Sequence, residues 1–481
     1  MNFKNNKSFL SATIFIVCII LLTPSIQSTD IDNIEHQNSQ KFIRIALYDC
    51  SSSFNEKQFQ TAFNYQWTRN DISYYFNMTI IDKNDVLGKG PHQLTNKNFD
   101  VFVIGANAKS YLLDGLDTKW KAKVQNFIAN GGGYLGICGG ANAASQGFET
   151  PENVFHQHVN KGVLKLANVY INDNFLDEWQ YLFKIGFDAF FAGNVTNSSY
   201  PSYVTINTTV QKNQFNAIFS GYDENFSYIS YAGGPGMYNA SSTDRKYGPI
   251  IPLLEYNEEL MYTKPIHYWI PTLNGWKIFR NISTNLLDKF AGIATTYNSS
   301  GRVVLYGPHP EYPFVVINGT IKEYLGHGYL SSFGLFKQYV YNYFGYLQDF
   351  FKNIWIVRRS AAWAAHVPDT DLPPISETAI WLNGPIQNNT RTDILARILS
   401  MGLFSNAASV VFGEATISLR SSNDIKKVEF YVNNDLKFID ENKPFKWFWN
   451  EQSDGIYTIK AIAYDLFGNQ VHDEMKIWKI F

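Results

Sequence analysis

Residues 129–145 read Ala-Asn-Gly-Gly-Gly-Tyr-Leu-Gly-Ile-Cys-Gly-Gly-Ala-Asn-Ala-Ala-Ser. Tyr134 to Ile137 has the length and the flanking glycines of a short buried strand. It delivers Cys138 onto Gly139 and Gly140, and then onto small residues that suit the start of a helix. A cysteine between glycines on a sharp strand-to-helix turn stands clear of its own backbone, because the absent side chains remove clashes that such a turn creates. A helix beginning beside the sulfur favours the thiolate, the reactive form, and the amide of Gly139 can face a developing oxyanion. The same residues also fit a small buried cysteine in a tight turn, and this motif alone does not choose between the two.

The segments before it alternate. Phe42 to Leu47 predicts a strand, Glu56 to Phe63 a helix, Met78 to Ile81 a strand and Asp100 to Ile104 a fully apolar strand. Asp117 is placed to cap a helix with Trp120, Val124, Phe127 and Ile128 on one face, and Gly131 to Gly133 stop it. Arg302 to Tyr306 is a later strand. This alternation predicts an α/β fold, a flavodoxin-like three-layer sandwich with a mostly parallel sheet and its chemistry at the carboxyl ends of the strands. Residues 147–295 lose the pattern and are read as the rest of the sheet plus insertions. A helical segment is expected from about Phe336 to Phe351, a linker around His366 to Pro374, and a short helix near Thr392 to Leu403.

A thiol becomes an acyl-transfer catalyst when an imidazole takes its proton and a carboxylate orients that imidazole. His309 and Glu311, in Gly-Pro-His-Pro-Glu-Tyr-Pro at 307–313, follow a buried strand by a few residues and supply both groups. In extended chain i and i+2 point to one side, and Pro310 stiffens the spacing. An exposed turn is the plainer reading of His-Pro-Glu taken alone. Tyr231 to Pro235, Tyr-Ala-Gly-Gly-Pro, is either a loop whose glycines let backbone approach a ligand or a tight turn between strands. His156 and His158 form a His-x-His pair that would share a strand face, half of a metal site without further ligands nearby; no metal and no cofactor is expected.

Taken together, the elbow and the late His-x-Glu resemble the class I glutamine amidotransferase-like superfamily, most closely the amidotransferase-like domain at the N-terminus of biotin-protein ligases. The matching stretches are Gly-Gly-Gly-Tyr-Leu-Gly-Ile-Cys-Gly-Gly, Tyr-Ala-Gly-Gly-Pro and Gly-Arg-Val-Val-Leu-Tyr-Gly-Pro-His-Pro-Glu, within roughly residues 41–350. The resemblance implies Cys138 as nucleophile, His309 as base and Glu311 as orienting carboxylate. It places Gly105 with Gly139 at the oxyanion position and Tyr231, Gly233 and Gly234 at the substrate. Glutamine-hydrolysing members carry glutamine four residues after the cysteine. This chain has Asn142 there, and no synthetase or biotin-ligase catalytic domain accompanies it.

The 481 residues leave room for more than one domain, and a net charge of -2 gives no reason to expect nucleic acid. Lys4 and Lys7 precede an apolar stretch from Phe9 to Leu22, shorter than the about 20 residues of a bilayer span, so residues 1–28 read as a signal peptide or N-terminal anchor. Asn-x-Ser/Thr sequons recurring from Asn77 to Asn388 fit an exported, glycosylated surface. Cys50 ends the first strand. In a 2-1-3-4-5 strand order one strand separates it from Cys138, roughly 10 Å, beyond the reach of a disulfide, so free thiols are expected. The last stretch holds short strands at Thr416 to Leu419, Val428 to Val432, Leu436 to Ile439, Phe445 to Trp449 and Ile456 to Tyr464, broken by Asn-Asn, Asn-Lys-Pro and Ser-Asp-Gly turns. This resembles the immunoglobulin-like modules of exported surface proteins.

The expected organisation is therefore 1–28 signal or anchor, 29–40 linker, 41–350 amidotransferase-like domain with insertions, 351–412 helical or linker segment, and 413–481 immunoglobulin-like sandwich. The expected function is an exported Cys-His-Glu hydrolase or amidotransferase-like protein. It would act on an amide or related acyl bond of a small-molecule or peptide substrate, with association to the cell envelope through the sandwich or the N-terminal anchor. The alternatives are a silent ligand-binding module on the same cleft and a purely structural surface protein.

Overall fold

The computed structural model describes residues 39–49, 53–172, 204–213, 215–231, 233–259, 285–313, 351–387, 408–452 and 454–480, with further strand segments at 266–272, 275–281, 315–317, 337–340 and 345–347. The signal segment, Cys50 and the helix expected at 392–403 lie outside the described residues.

The chain opens with β1 (Ser39–Tyr48), α1 (Ser53–Phe63), the hairpin β2 (Tyr65–Arg69) and β3 (Ile72–Ile81), then α2 (Lys83–Val86), β4 (Val101–Ile104), α3 (Lys109–Leu112), α4 (Thr118–Ala129), β5 (Gly133–Ile137), α5 (Gly139–Ala144) and α6 (Val154–Gly162). Asp117 caps α4 by accepting from the amides of Lys119 and Trp120, and Trp120, Val124, Phe127 and Ile128 are buried beneath it. The amide of Gly132 returns to the carbonyl of Phe127 and ends the helix. β1 pairs in parallel with β3 on one side and β4 on the other, and β4 pairs in parallel with β5. Side chains alternate across this block. Val101, Val103, Leu135 and Ile137 enter one core, while Phe102, Ile104 and Tyr134 enter the other.

Strands from the looser region follow as β6 (Val169–Asn172), β7 (Val204–Val210), β8 (Phe226–Tyr231), β9 (Gly236–Asn239), β10 (Ile251–Tyr256), β11 (Ile266–Thr272), β12 (Gly275–Asn281), β13 (Phe290–Tyr297) and β14 (Gly301–Tyr306). β14 runs parallel to β5, which sets the block β3-β1-β4-β5-β14. Beyond β14 everything turns antiparallel: β13, β10, β7 and β8 extend the sheet in that order. On the other edge β2 pairs antiparallel with β3.

Downstream lie β15 (Val315–Ile317), β16 (Lys337–Val340), β17 (Gly345–Leu347), α7 (Ile354–Ala364), β18 (Ile380–Leu382), β19 (Ile386–Gln387), β20 (Ala408–Phe412), β21 (Ala415–Ser421), β22 (Ile425–Val432), β23 (Asp435–Asp440), β24 (Lys446–Trp449), β25 (Gly455–Asp465) and β26 (Gln470–Ile480). Strands β20, β26, β25, β22 and β23 form one layer of the C-terminal sandwich, with β21 joining β18, β19 and β24 in the other. β26 also pairs with β2, through Tyr65 opposite Val471 and Gln66 opposite Gln470, so the sandwich runs into the N-terminal sheet without a break.

Three expectations are corrected here. The flavodoxin-like three-layer sandwich with a mostly parallel sheet does not describe this chain: strand makes up 41% and helix 19%, and the largest sheet is a 17-stranded mixed one, with smaller sheets beside it. The parallel block is real but short, because the antiparallel strands after residue 204 and the C-terminal sandwich both add to its edges. Within the stretch 336–351, where a helix is expected, the described segments are the strands β16 and β17 instead. The linker expected at His366 to Pro374 is packed instead. Asp371 is buried, receives hydrogen bonds from Tyr74 Oη at 2.6 Å and Asn70 Nδ2 at 2.5 Å, and its carbonyl accepts from Trp67 Nε1 at 2.9 Å.

Candidate functional site

Cys138 is the residue between β5 and α5 and has φ 54° and ψ −107°. A side chain rarely adopts such a backbone without surrounding structure to hold it there. That structure is visible. The Cys138 amide donates to the Tyr306 carbonyl at 2.8 Å, fixing the elbow to the end of β14, and the Cys138 carbonyl accepts from Ala141 and Asn142 in the first turn of α5. Gly140 lets the turn dock, because a Cβ there would lie 1.9 Å from the Ile104 carbonyl oxygen. The Gly140 amide donates to the Gly105 carbonyl at 3.0 Å, and the backbone of Asn107 abuts Gly139. Gly105 and Gly139 therefore meet at the elbow, at the carboxyl ends of β4 and β5. Cys138 is partly buried and free of any disulfide.

His309 and Glu311 arrive from the end of β14, the neighbour of β5. The His309 amide donates to the Ser230 carbonyl at 2.7 Å, in a bridge that ties this loop to β8. His309 Nδ1 and Glu311 Oε1 are 2.8 Å apart, with both side chains buried at 1% and 0% exposure. Burial opposes charge on the ring, but Glu311 and Cys138 outweigh it and raise the His309 pKa to about 10. Nε2 makes no well-formed hydrogen bond to a described residue, although the ring is near enough to Cys138 for their charges to interact.

The Tyr231 loop closes on the same point. Tyr231 is buried and donates from Oη to the Gly234 carbonyl at 3.0 Å. Gly233 has φ 96° and Gly234 has φ 113°, and a Cβ on Gly234 would lie 2.1 Å from the Gly307 carbonyl oxygen and 3.3 Å from Cys138 Cα. Gly234→Ala should therefore cost about 1–3 kcal/mol in denaturant unfolding and lower the reactivity of Cys138, since both backbone strain and a displaced neighbour are involved.

All the residues singled out around the elbow are thus brought together. The His-x-His pair is not. His156 and His158 sit on helix α6, not on a strand. His156 stacks on Phe148 with centroids 3.9 Å apart, and His158 Nε2 bonds the Leu112 carbonyl at 2.7 Å. No group of three metal-ligating side chains occurs among the described residues. Sequence reasoning passed over two neighbours of the site, Ser230 and Tyr312. The Tyr312 ring stacks on His309 with centroids 4.2 Å apart and an interplanar angle of 24°, and Tyr312 stands inside the quoted 307–313 stretch.

Comparison with known proteins identifies one region. Residues 405–461 match the family described as bacterial Ig domain, which fits the sandwich just described. No curated protein matches the chain. Among solved structures, the chain is similar to fibronectin(III)-like modules of Clostridium thermocellum CbhA, at 18% identity and TM-score 0.16, over 21% of this chain and 93% of that one. It is also similar to Gan42B, a GH42 beta-galactosidase, at 7% identity and TM-score 0.27, over 91% and 39% respectively. A third is the extracellular domain of the putative one component system BT4673 from B. thetaiotaomicron, at 12% identity and TM-score 0.17, over 53% and 28%. None of these scores reaches the level of a shared overall fold. They lend no support to the amidotransferase-like or biotin-ligase resemblance of residues 41–350. What stands is a mostly β chain with a C-terminal immunoglobulin-like module.

Proposed function

We propose that this chain is an exported thiol-dependent hydrolase or amidotransferase-like protein that acts on an amide or related acyl bond through a covalent thioester. The observation that carries the reading is the buried His309–Glu311 pair, 2.8 Å between Nδ1 and Oε1, beside a cysteine held at φ 54°. Glu311 fixes the ring so that Nε2 is the nitrogen left for the thiol. Cys138 gives its proton to Nε2, and its sulfur attacks the acyl carbon while the carbonyl electrons move to oxygen. Collapse expels the amine, which takes the proton from Nε2. Water, giving a proton back to His309, then cleaves the thioester and releases the acid. The backbone at Gly105 and Gly139 is where the oxyanion would be met, and the Tyr231–Pro235 loop is the proposed wall for a small-molecule or peptide substrate.

The family reading attached to this proposal is the class I glutamine amidotransferase-like superfamily, nearest the N-terminal domain of biotin-protein ligases. Asn142, buried in α5 with Nδ2 3.4 Å from Tyr111 Oη, argues for an acyl substrate other than glutamine. The immunoglobulin-like module and the apolar N-terminal stretch support an extracytoplasmic location, with the module as spacer or envelope contact. Brief exposure to an activated ester such as a p-nitrophenyl ester, followed by acid quench and peptide mass spectrometry, tests the reaction class. An acyl mass on the Cys138 peptide that is absent from Cys138→Ala is expected; acylation spread over lysines with none on Cys138 would contradict it.

A further inference from the structure

Tyr312 is buried, at 8% exposure, and lies nearly parallel to the His309 ring at 4.2 Å. Its amide donates to the His309 carbonyl at 3.2 Å, closing a turn over Pro310 and Glu311. The turn is pinned at both ends by one residue of β8. Ser230 accepts the His309 amide through its carbonyl and donates from Oγ to the Pro313 carbonyl at 3.0 Å. With Glu311 bonded to Nδ1 at 2.8 Å, the Tyr312 face restricts the other motion, tilting of the ring about that bond. An aromatic face is also an electrostatic partner for a cation and favours the protonated imidazole.

We infer that Tyr312 is a positioning residue for His309: it stacks on the imidazole, holds Nε2 toward Cys138, and favours the imidazolium form that accompanies a reactive thiolate. This rests on the reading of Cys138 and His309 as nucleophile and base. The titratable groups against the ring are Cys138 on the elbow and Glu311 and Tyr312 on its own loop, while β8 offers the uncharged Ser230.

The test follows alkylation of Cys138 by iodoacetamide between pH 5 and 9 in the full chain, with peptide mass spectrometry to separate it from Cys50. Tyr312→Phe keeps the aromatic face and should stay within about twofold of the native rate. Tyr312→Leu keeps the bulk without the face and should fall about two- to tenfold at pH 6, with its profile moved toward that of His309→Ala, and should change nothing in a His309→Ala background. A Tyr312→Leu profile that overlays the native one while His309→Ala is slow would overturn the positioning role alone. A His309→Ala profile identical to native would overturn the nucleophile–base reading and this inference with it. If Tyr312→Leu does not fold, the His309 Hε1 titration in the native and Tyr312→Phe proteins decides: the same elevated midpoint in both is expected, and loss of elevation in the phenylalanine variant would contradict a role for the ring face.

Discussion

Replacing Arg358 by alanine should lower the free energy of unfolding by about 3–5 kcal/mol, because three buried carbonyls lose their donor and a large buried side chain is removed. Arg358 lies on α7 with no exposure, in the run Ile-Trp-Ile-Val-Arg-Arg-Ser-Ala-Ala-Trp-Ala. Its Nε donates to the Ala62 carbonyl at 2.8 Å, Nη1 to the Thr378 carbonyl at 2.8 Å and Nη2 to the Thr61 carbonyl at 3.2 Å. Its guanidinium sits 4.0 Å from the centroid of Tyr65. Burial pushes its pKa down to about 10, still far above neutrality, with Tyr65, Asp424 and Asp465 opposing that fall. The alanine variant leaves three carbonyls without their donor and opens a cavity beneath the Tyr65 ring. Since a folded domain commonly has about 5–15 kcal/mol in hand, this one change would consume a large part of it. Arg358→Met, which fills the space, should recover part of the loss. Urea titrations of the three proteins decide; a change below about 1 kcal/mol in the alanine variant would mean that solvent or neighbours satisfy these carbonyls.

The same residue shows why part of the architecture was not legible in the sequence. Two adjacent arginines carry no sign of their partners in the sequence, and the Pro-Asp-Thr-Asp-Leu-Pro-Pro stretch after them reads as a linker. Both are polar because they serve backbone carbonyls and buried tyrosine and tryptophan groups from distant segments. Arg359, for example, donates to the carbonyls of Ile218, Ala217 and Pro373. Long-range partners of that kind leave no periodic trace. The β2–β3 hairpin was missed for another reason. Its two-residue turn is Asn70-Asp71, with φ 48° and 57°, and lacks the glycine that usually marks such a turn. Asn433-Asn434 has the same geometry and was recognised because regular strands flank it.

The juxtaposition of the candidate residues was more legible than the fold that carries them. Cys138 and the His309–Glu311 pair are local motifs whose glycines and prolines state their backbone requirements directly. The sheet around them is set by pairings such as β14 with β13 and β2 with β26, which depend on insertions and on a C-terminal module far away in sequence. The parallel block could be read from apolar strands alternating with helices. The antiparallel majority around it could not, because its strands are aromatic and interrupted. Ser230 illustrates the limit: nothing in its own stretch of sequence marks it, and only its bonds to His309 and Pro313 give it a role.

The second large effect concerns reactivity. Removing His309 should slow alkylation of Cys138 by iodoacetamide about 100-fold at pH 6, while leaving Cys50 unchanged as an internal reference. An ordinary thiol titrates near 8.5, so at pH 6 roughly 0.3% is thiolate. A thiol that passes its proton to a neighbouring imidazole reacts far below that limit, though the less basic sulfur is intrinsically somewhat slower. His309 is suited to hold that proton, with Glu311 at 2.8 Å and its pKa raised to about 10. Glu311→Gln should give an intermediate loss, since the amide still orients the ring but no longer stabilises its positive charge. The direct test is therefore the ratio of Cys138 to Cys50 alkylation rates at pH 6 in the native protein and in His309→Ala. The account predicts a ratio well above one that collapses in the variant; equal rates in the native protein, or a ratio indifferent to His309, would contradict it.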